Sequence, residues 1–210
     1  MMTQCILYLN PGASSNPLGG KYYEYQQKAK GELGYEAWKN NKAFTYPPHV
    51  TLTSFFQANN AELERLSNHI DGVFEKHLAH LESPMLRFKQ LTAEKTIRIE
   101  FTQRDELDQF LEELQSNFEF ISAKSKLHMS LAYGSHGSIE QWYDKYRELA
   151  HSLFSTEVLE EGGRKPWDIC LWRTDIDLTQ FEAIKTWAPN SGMNSSQAVD
   201  GEKRVHSAEF

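Results

Sequence analysis

The chain has 210 residues, enough for one domain or two small lobes around a substantial core. With 40% hydrophobic and 12% aromatic residues, its composition excludes overall disorder, collagen and coiled coil. A net charge of −7 and an isoelectric point near 5.6 argue against a protein that neutralises many phosphates of long nucleic acid, but leave room for a small or single-ended anionic substrate in a locally basic cleft.

"QCILYLNPG" is an apolar strand that stops at the turn signal Asn10-Pro11-Gly12. "ASSNPLGG" reads as a loop, and "KYYEYQQKAK", from Lys21 to Lys30, reads as a helix with a tyrosine cluster. "FTYPPH" is expected to be extended, because Pro47 and Pro48 push their preceding residues to β or polyproline geometry. It leads into "HVTLTSFF", a strand by alternation. "NNAELERLSNHIDGVFEKHLAHL" has an Asn cap and apolar residues at Leu63, Leu66, Ile70, Phe74, Leu78 and Leu81, the spacing of an amphipathic helix.

"MLRFKQL" and "KTIRIEFT" are strands separated by a turn at Thr92 to Lys95. "RDELDQFLEELQSNF" returns to helical spacing with Leu107, Phe110, Leu111 and Leu114 on one face. "KLHMSLAYG" is another alternating strand ended by Gly134. "SIEQWYDKYRELAHSLF" opens on a Ser-x-x-Gln capping box and predicts a third helix. "PWDICLWRTDID" is a strand, and "TQFEAIKTW" is a final strand or a short helix. From Pro189 onward Asn, Ser, Gly and charge dominate, and a disordered tail over 189–210 is expected. The order is β-α-β-α-β-β-α-β-α-β; a cut near Leu81 to Glu94 would give two halves that each hold helices and one unusual strand.

Cys5 and Cys170 each lie in a short apolar run and read as buried, reduced thiols, which points to a cytoplasmic or nuclear protein. There is no signal-peptide pattern and no run of about 18 apolar residues, so a soluble protein without membrane contact is expected.

The two unusual strands repeat each other. His49-Val50-Thr51-Leu52 matches His128-Met129-Ser130-Leu131, both reading His, apolar, hydroxyl, Leu, 79 residues apart. Side chains of a strand alternate faces, so His49 shares a face with Thr51, and His128 with Ser130, while the apolar residues point the other way. One such motif is usually a half-exposed sheet position. Two in equivalent contexts suggest two related halves of the chain whose strands bring the two imidazoles to face each other.

These residues resemble the two-histidine (2H) phosphoesterases, a family defined by paired His-x-Thr/Ser-x motifs with apolar middle positions. The match includes the Pro before the first histidine and Tyr133, three residues after Ser130, and it spans "ILYLNPG" to "WDICLW". The layout "LYLNPG…YPPHVTLTSFF" is most similar to the eukaryotic cyclic-phosphodiesterase-like branch, which includes the phosphoesterase module of ubiquitin-associated, SH3-containing signalling proteins. The resemblance implies an α+β fold over residues 1–188: two pseudo-symmetric lobes with antiparallel sheets flanked by helices, and an active cleft between them. It also implies metal-independent hydrolysis, with no cofactor, of a 2′,3′-cyclic nucleotide or a 2′-linked oligonucleotide or RNA-end phosphodiester.

Such chemistry needs a base for the nucleophile, an acid for the leaving oxygen, and donors for the non-bridging oxygens. Two imidazoles with an ordinary pKa near 6.5 can hold opposite protonation states near neutral pH. His49 and His128 are therefore the expected catalytic pair, with the acid and base roles open between them. Thr51 and Ser130 are the expected phosphate donors. Thr53, two residues further on, either lines the cleft or is an ordinary strand position.

Tyr8, Tyr46, Phe56, Tyr133, Trp167 and Trp172 lie on or beside the cleft-forming strands. Most are expected in the core, with Tyr133 the first choice for binding substrate by stacking a base. Arg98 and Arg173 either neutralise substrate phosphates or form surface salt bridges. "HLAH", with His77 and His80 and with His69 two turns earlier, reads as a solvated helix face rather than a metal site. "GASSNPLGGK" lacks the arrangement of a phosphate loop. The expected partner is a small nucleotide or oligonucleotide, with a monomer favoured. The rival reading is a non-catalytic module that binds a nucleotide or RNA end, or a protein partner, on the same fold.

Overall fold

The computed structural model describes residues 2–11, 16–77, 86–91, 96–101, 105–134, 139–165, 167–175 and 181–188. Among the described residues, eight strands form one antiparallel sheet: β1 (Thr3–Pro11), β2 (Val50–Thr51), β3 (Phe56–Ala58), β4 (Leu86–Leu91), β5 (Thr96–Phe101), β6 (His128–Ala132), β7 (Trp167–Thr174) and β8 (Phe181–Trp187). Their order is β4-β5-β6-β2-β1-β7-β8, with β3 also paired to β1. Six α-helices accompany them among the described residues: α1 (Pro17–Lys28), α2 (Tyr35–Asn40), α3 (Asn60–His77), α4 (Asp105–Asn117), α5 (Tyr143–Leu153) and α6 (Thr156–Arg164). The fold is α+β. Among the described residues, no helix is long and apolar enough to cross a membrane.

Strand alternation decides which face the helices cover. Cys5, Leu7 and Leu9 of β1, Val50 and Leu52, Ile97 and Ile99, Met129 and Leu131, and Ile169 and Leu171 form one buried cluster with helix residues such as Tyr22, Tyr25, Ile70, Phe110 and Tyr146. The opposite parity carries Tyr8, Thr51, Arg98, His128 and Ser130. In α4, Leu107, Phe110, Leu111 and Leu114 are all buried, as their spacing requires. In α3, Asn59 Oδ1 accepts from the Glu62 amide at 3.0 Å while Glu62 Oε2 accepts from the Asn59 amide at 2.8 Å, a reciprocal cap. Leu66, Ile70 and Phe74 of this helix are buried; Leu78 and Leu81 lie outside the described residues. Both cysteines are free and buried.

Several elements differ from the sequence reading. The first helix starts at Pro17 rather than Lys21, because Asn16 caps it by accepting from the Leu18 amide at 3.1 Å and Pro17 tolerates the first position. "KAFT", residues Lys42–Thr45, is a 3-10 turn, and the extended geometry begins at Tyr46. "HVTLTSFF" is interrupted: past β2 the chain turns to residues 122–124, with the Ser54 amide donating to the Ser122 carbonyl and the Lys124 amide to the Leu52 carbonyl, both at 2.8 Å. α5 begins at Tyr143 after a 3-10 turn over Glu140–Trp142, and Ser138 of the expected capping box lies outside the described residues. "TQFEAIKTW" contains a strand, β8.

The two groups of strands are not the two halves of the chain. β7 leaves the second half and pairs with β1 over eight registered positions, so a cut at Leu81 to Glu94 separates strands that share a ladder. The β2–β6 pair, Val50 opposite Met129, joins the β4-β5-β6 group to the β1-β7-β8 group. Residues 189–210, the expected tail, lie outside the described residues.

Candidate active site

The β2–β6 seam is where the two His-x-hydroxyl motifs meet. Carrying the antiparallel register one step either way from Val50 opposite Met129 sets His49 across from Ser130 and Thr51 across from His128. By that register each motif histidine lies across from the other motif's hydroxyl residue. The two histidines are diagonal neighbours, a relation that separates Cα atoms by about 7–8 Å and leaves space for a phosphate between two rings. Ladder pairs extend the pattern outward: Tyr8 lies opposite Thr51 on β1, while Arg98 lies opposite Ser130 and Glu100 opposite His128 on β5.

These side chains open into a cavity of about 380 Å³ lined by Tyr22, Ala43, Tyr46, His49, Thr51, Thr96, Arg98, His128, Ser130 and Tyr133. That volume lies within the range of small-molecule sites. All five residues singled out from the motifs and their flank, His49, His128, Thr51, Ser130 and Tyr133, line it together. Of the other aromatics considered, Tyr46 lines the cavity and Tyr8 supports it, whereas Phe56 and Trp167 belong to the core. Trp172 is half-buried and does not line the cavity.

His49 is held tightly. Its Nδ1 lies 2.7 Å from the Pro47 carbonyl oxygen, which can only accept, so Nδ1 carries the proton and the neutral ring keeps its lone pair on Nε2. The Tyr8 ring packs against it at 4.0 Å between centroids and 31°, and Tyr46 meets it edge-on at 5.8 Å. Burial pushes the His49 pKa down to about 4; the Pro47 carbonyl pulls the other way and the neighbouring His128 adds to the depression. Burial, with Tyr46 beside it, pushes the Tyr133 hydroxyl up to about 12, so it stays a proton donor.

The end of the second motif is clamped by Asn41 and Lys42, at the start of the 3-10 turn outside the sheet. Asn41, buried in the turn before the first motif, donates from Nδ2 to the Leu131 carbonyl at 3.0 Å and accepts from the Tyr133 amide at 3.1 Å. The Lys42 amide donates to the Tyr133 carbonyl at 2.9 Å. Thr53 does not line the cavity: it is fully buried, and its Oγ1 accepts from the Leu7 amide at 3.1 Å.

Arg173 is exposed and paired with Glu182 at 2.6 Å, a surface salt bridge. Arg98 lines the cavity and pairs through Nη2 with Glu100 at 2.6 Å, buried rather than on the surface. His69 packs against Phe118 and lies 3.9 Å from Glu113, while the His77 side chain and His80 lie outside the described residues. No cluster of three or more potential metal ligands occurs among the described residues.

Sequence reasoning did not assign Tyr22, Ala43 or Thr96 to the cavity. Thr96 had a usable signal, since "TIRIE" alternates polar and apolar residues as the motifs do. Tyr22 and Ala43 had none, because they reach the cavity from outside the sheet.

No family model and no curated protein matches the chain. Among solved structures, it is similar to the crystal structure of E. coli LigT complexed with phosphate, with a TM-score of 0.43 and 11% identity over 89% of this chain and 97% of that chain.

Proposed function

We propose that the chain is a metal-independent phosphodiesterase of the two-histidine class, acting on a 2′,3′-cyclic nucleotide or a 2′-linked oligonucleotide or RNA end. The observation that carries this reading is the convergence of both motif histidines and both motif hydroxyls on one cavity of mononucleotide scale. The motif layout favours the eukaryotic cyclic-phosphodiesterase-like branch, and the cavity size with the acidic overall charge favours a small nucleotide over long RNA.

His49 is the base. It is already neutral at pH 7, with Nδ1–H fixed on Pro47 and Nε2 left to accept a proton. For a cyclic phosphate, His49 takes a proton from water as the water oxygen bonds to phosphorus. The bond from phosphorus to one ribose oxygen breaks, and His128, the acid, protonates that oxygen. For a 2′-linkage, His49 deprotonates the neighbouring ribose hydroxyl, whose oxygen bonds to phosphorus as the bond to the next nucleotide's oxygen breaks; His128 protonates that leaving oxygen, and the first product is cyclic. Thr51 and Ser130 donate to the non-bridging oxygens, where a preorganised donor acts on developing charge. Tyr133, with Tyr46, supplies the aromatic wall for a base.

The test is turnover of 2′,3′-cyclic nucleotides, 2′–5′ oligoadenylate and a cyclic dinucleotide by purified protein in EDTA. His49→Ala and His128→Ala should each lower kcat/KM by about 10²–10⁴-fold. No turnover of any substrate, or turnover that survives both changes, overturns the reading in favour of a binding module; activity lost only with chelator overturns metal independence.

A further inference from the structure

Among the described residues, the cavity holds one cationic side chain that the acid, base and hydroxyl roles do not use. Arg98 projects from β5 between Ile97 and Ile99, both fully buried on the opposite face, and is itself only 8% exposed. Its register partner is Ser130, and the β5–β6 ladder shifts between Ile97 and Arg98, the kind of irregularity that re-aims a side chain. Nη2 is tied to Glu100 Oε1 at 2.6 Å, whereas Nε is buried without a hydrogen-bond partner among the described residues.

A buried guanidinium is costly unless its donors are satisfied, and one carboxylate oxygen serves only part of a five-donor fork. The orphaned Nε marks a missing acceptor. Glu100 is itself the register partner of His128, so the ion pair holds the guanidinium alongside His128, the proposed acid, and Ser130, the proposed phosphate donor of this side. A planar, permanently charged fork matches phosphate oxygens better than any other anion-binding side chain.

We infer that Arg98 is a third phosphate-binding group of the site, oriented by Glu100, which grips the non-bridging oxygens of the scissile phosphate from the β5 side. The inference rests on the phosphodiesterase reading for its substrate, but not for the anion it binds. Neutral hydroxyls suffice for the single charge of a diester. A fixed cation favours the more highly charged species, namely the transition state with its added charge and the phosphomonoester product. Arg98 thus acts on kcat and on product affinity more than on KM.

Two measurements test it on the intact chain: calorimetric binding of inorganic phosphate, and kcat and KM on whichever substrate the panel above identifies. Arg98→Gln should weaken phosphate binding at least tenfold and lower kcat by about 10²-fold, the scale of losing one preorganised donor. Arg98→Lys should recover phosphate binding through its charge while kcat stays low, because the fork is lost. Should Arg98→Gln fail to fold around an unpaired Glu100, the double variant Arg98→Met/Glu100→Gln removes both charges and carries the same expectation. Absence of phosphate binding by the wild-type chain, or folded variants that bind phosphate and turn over substrate as the wild type does, overturns the assignment. Arg98-dependent phosphate binding without cleavage of any diester would instead sustain Arg98 and defeat the enzymatic reading.

Discussion

The two motifs share four letters of pattern and almost nothing of environment. His49 sits beside a two-residue strand, packed against Tyr8 and Tyr46, with its Nδ1 on the Pro47 carbonyl and its pKa pushed down by burial. His128 opens a five-residue strand registered on β5, next to the Arg98–Glu100 ion pair. Pairs of titratable groups whose surroundings differ in this way divide acid and base work between them. On the proposed reading, the shared pattern supplies two imidazoles and their neighbours divide the roles between them.

The largest effect that can break this asymmetry lies in the pH profile. Wild-type kcat/KM should rise through pH 4 as His49 deprotonates. His49→Ala, besides its loss of about 10²–10⁴-fold, should abolish that limb, whereas His128→Ala should lower activity and keep it. A limb that survives without His49 and vanishes without His128 would reverse the assignment.

Next comes the clamp on the second motif. Asn41→Ala removes bonds to the Leu131 carbonyl, the Tyr133 amide and the Ala43 amide, all buried or half-buried, and should cost about 2–4 kcal/mol in urea unfolding. Activity should fall with it, since Tyr133 and Ser130 share that strand end.

The pKa of His49 has its own stability signature. Its folded value lies below the unfolded one, so between pH 6.5 and 4 the unfolded chain binds more protons and wild-type stability falls as the pH drops. Relative to His49→Gln, the wild type should lose about 1–3 kcal/mol across that window and no more below it. An equal loss without His49 would mean that the depression belongs elsewhere.

The smallest effect concerns the support of the first motif. Thr53→Val leaves the Leu7 amide without its acceptor and should cost about 1–3 kcal/mol in thermal unfolding, with the activity of the folded protein unchanged. A loss of activity at full stability would return Thr53 to the cavity.

Legibility followed the range of the interactions. The buried face of α4 was readable because helical spacing is local, and the parity of the motif strands was readable because alternation is local. α6 was not, since Gly162 and Gly163 argue against a helix until Leu18 is seen packed where a Gly162 side chain would go. The start of α1 was obscured by the same residue type, and there the Asn16 cap also donates to the Gly162 carbonyl at 3.0 Å.

By itself, the sequence determined that two strands each present an imidazole and a hydroxyl on one face, because side chains alternate wherever a strand forms. Only the tertiary structure decided that β2 and β6 pair, that β7 returns to β1, and that Tyr22, Ala43 and Arg98 join the cavity. Partner choice between strands depends on packing among residues far apart in the chain, and a histidine's protonation depends on what that packing buries beside it.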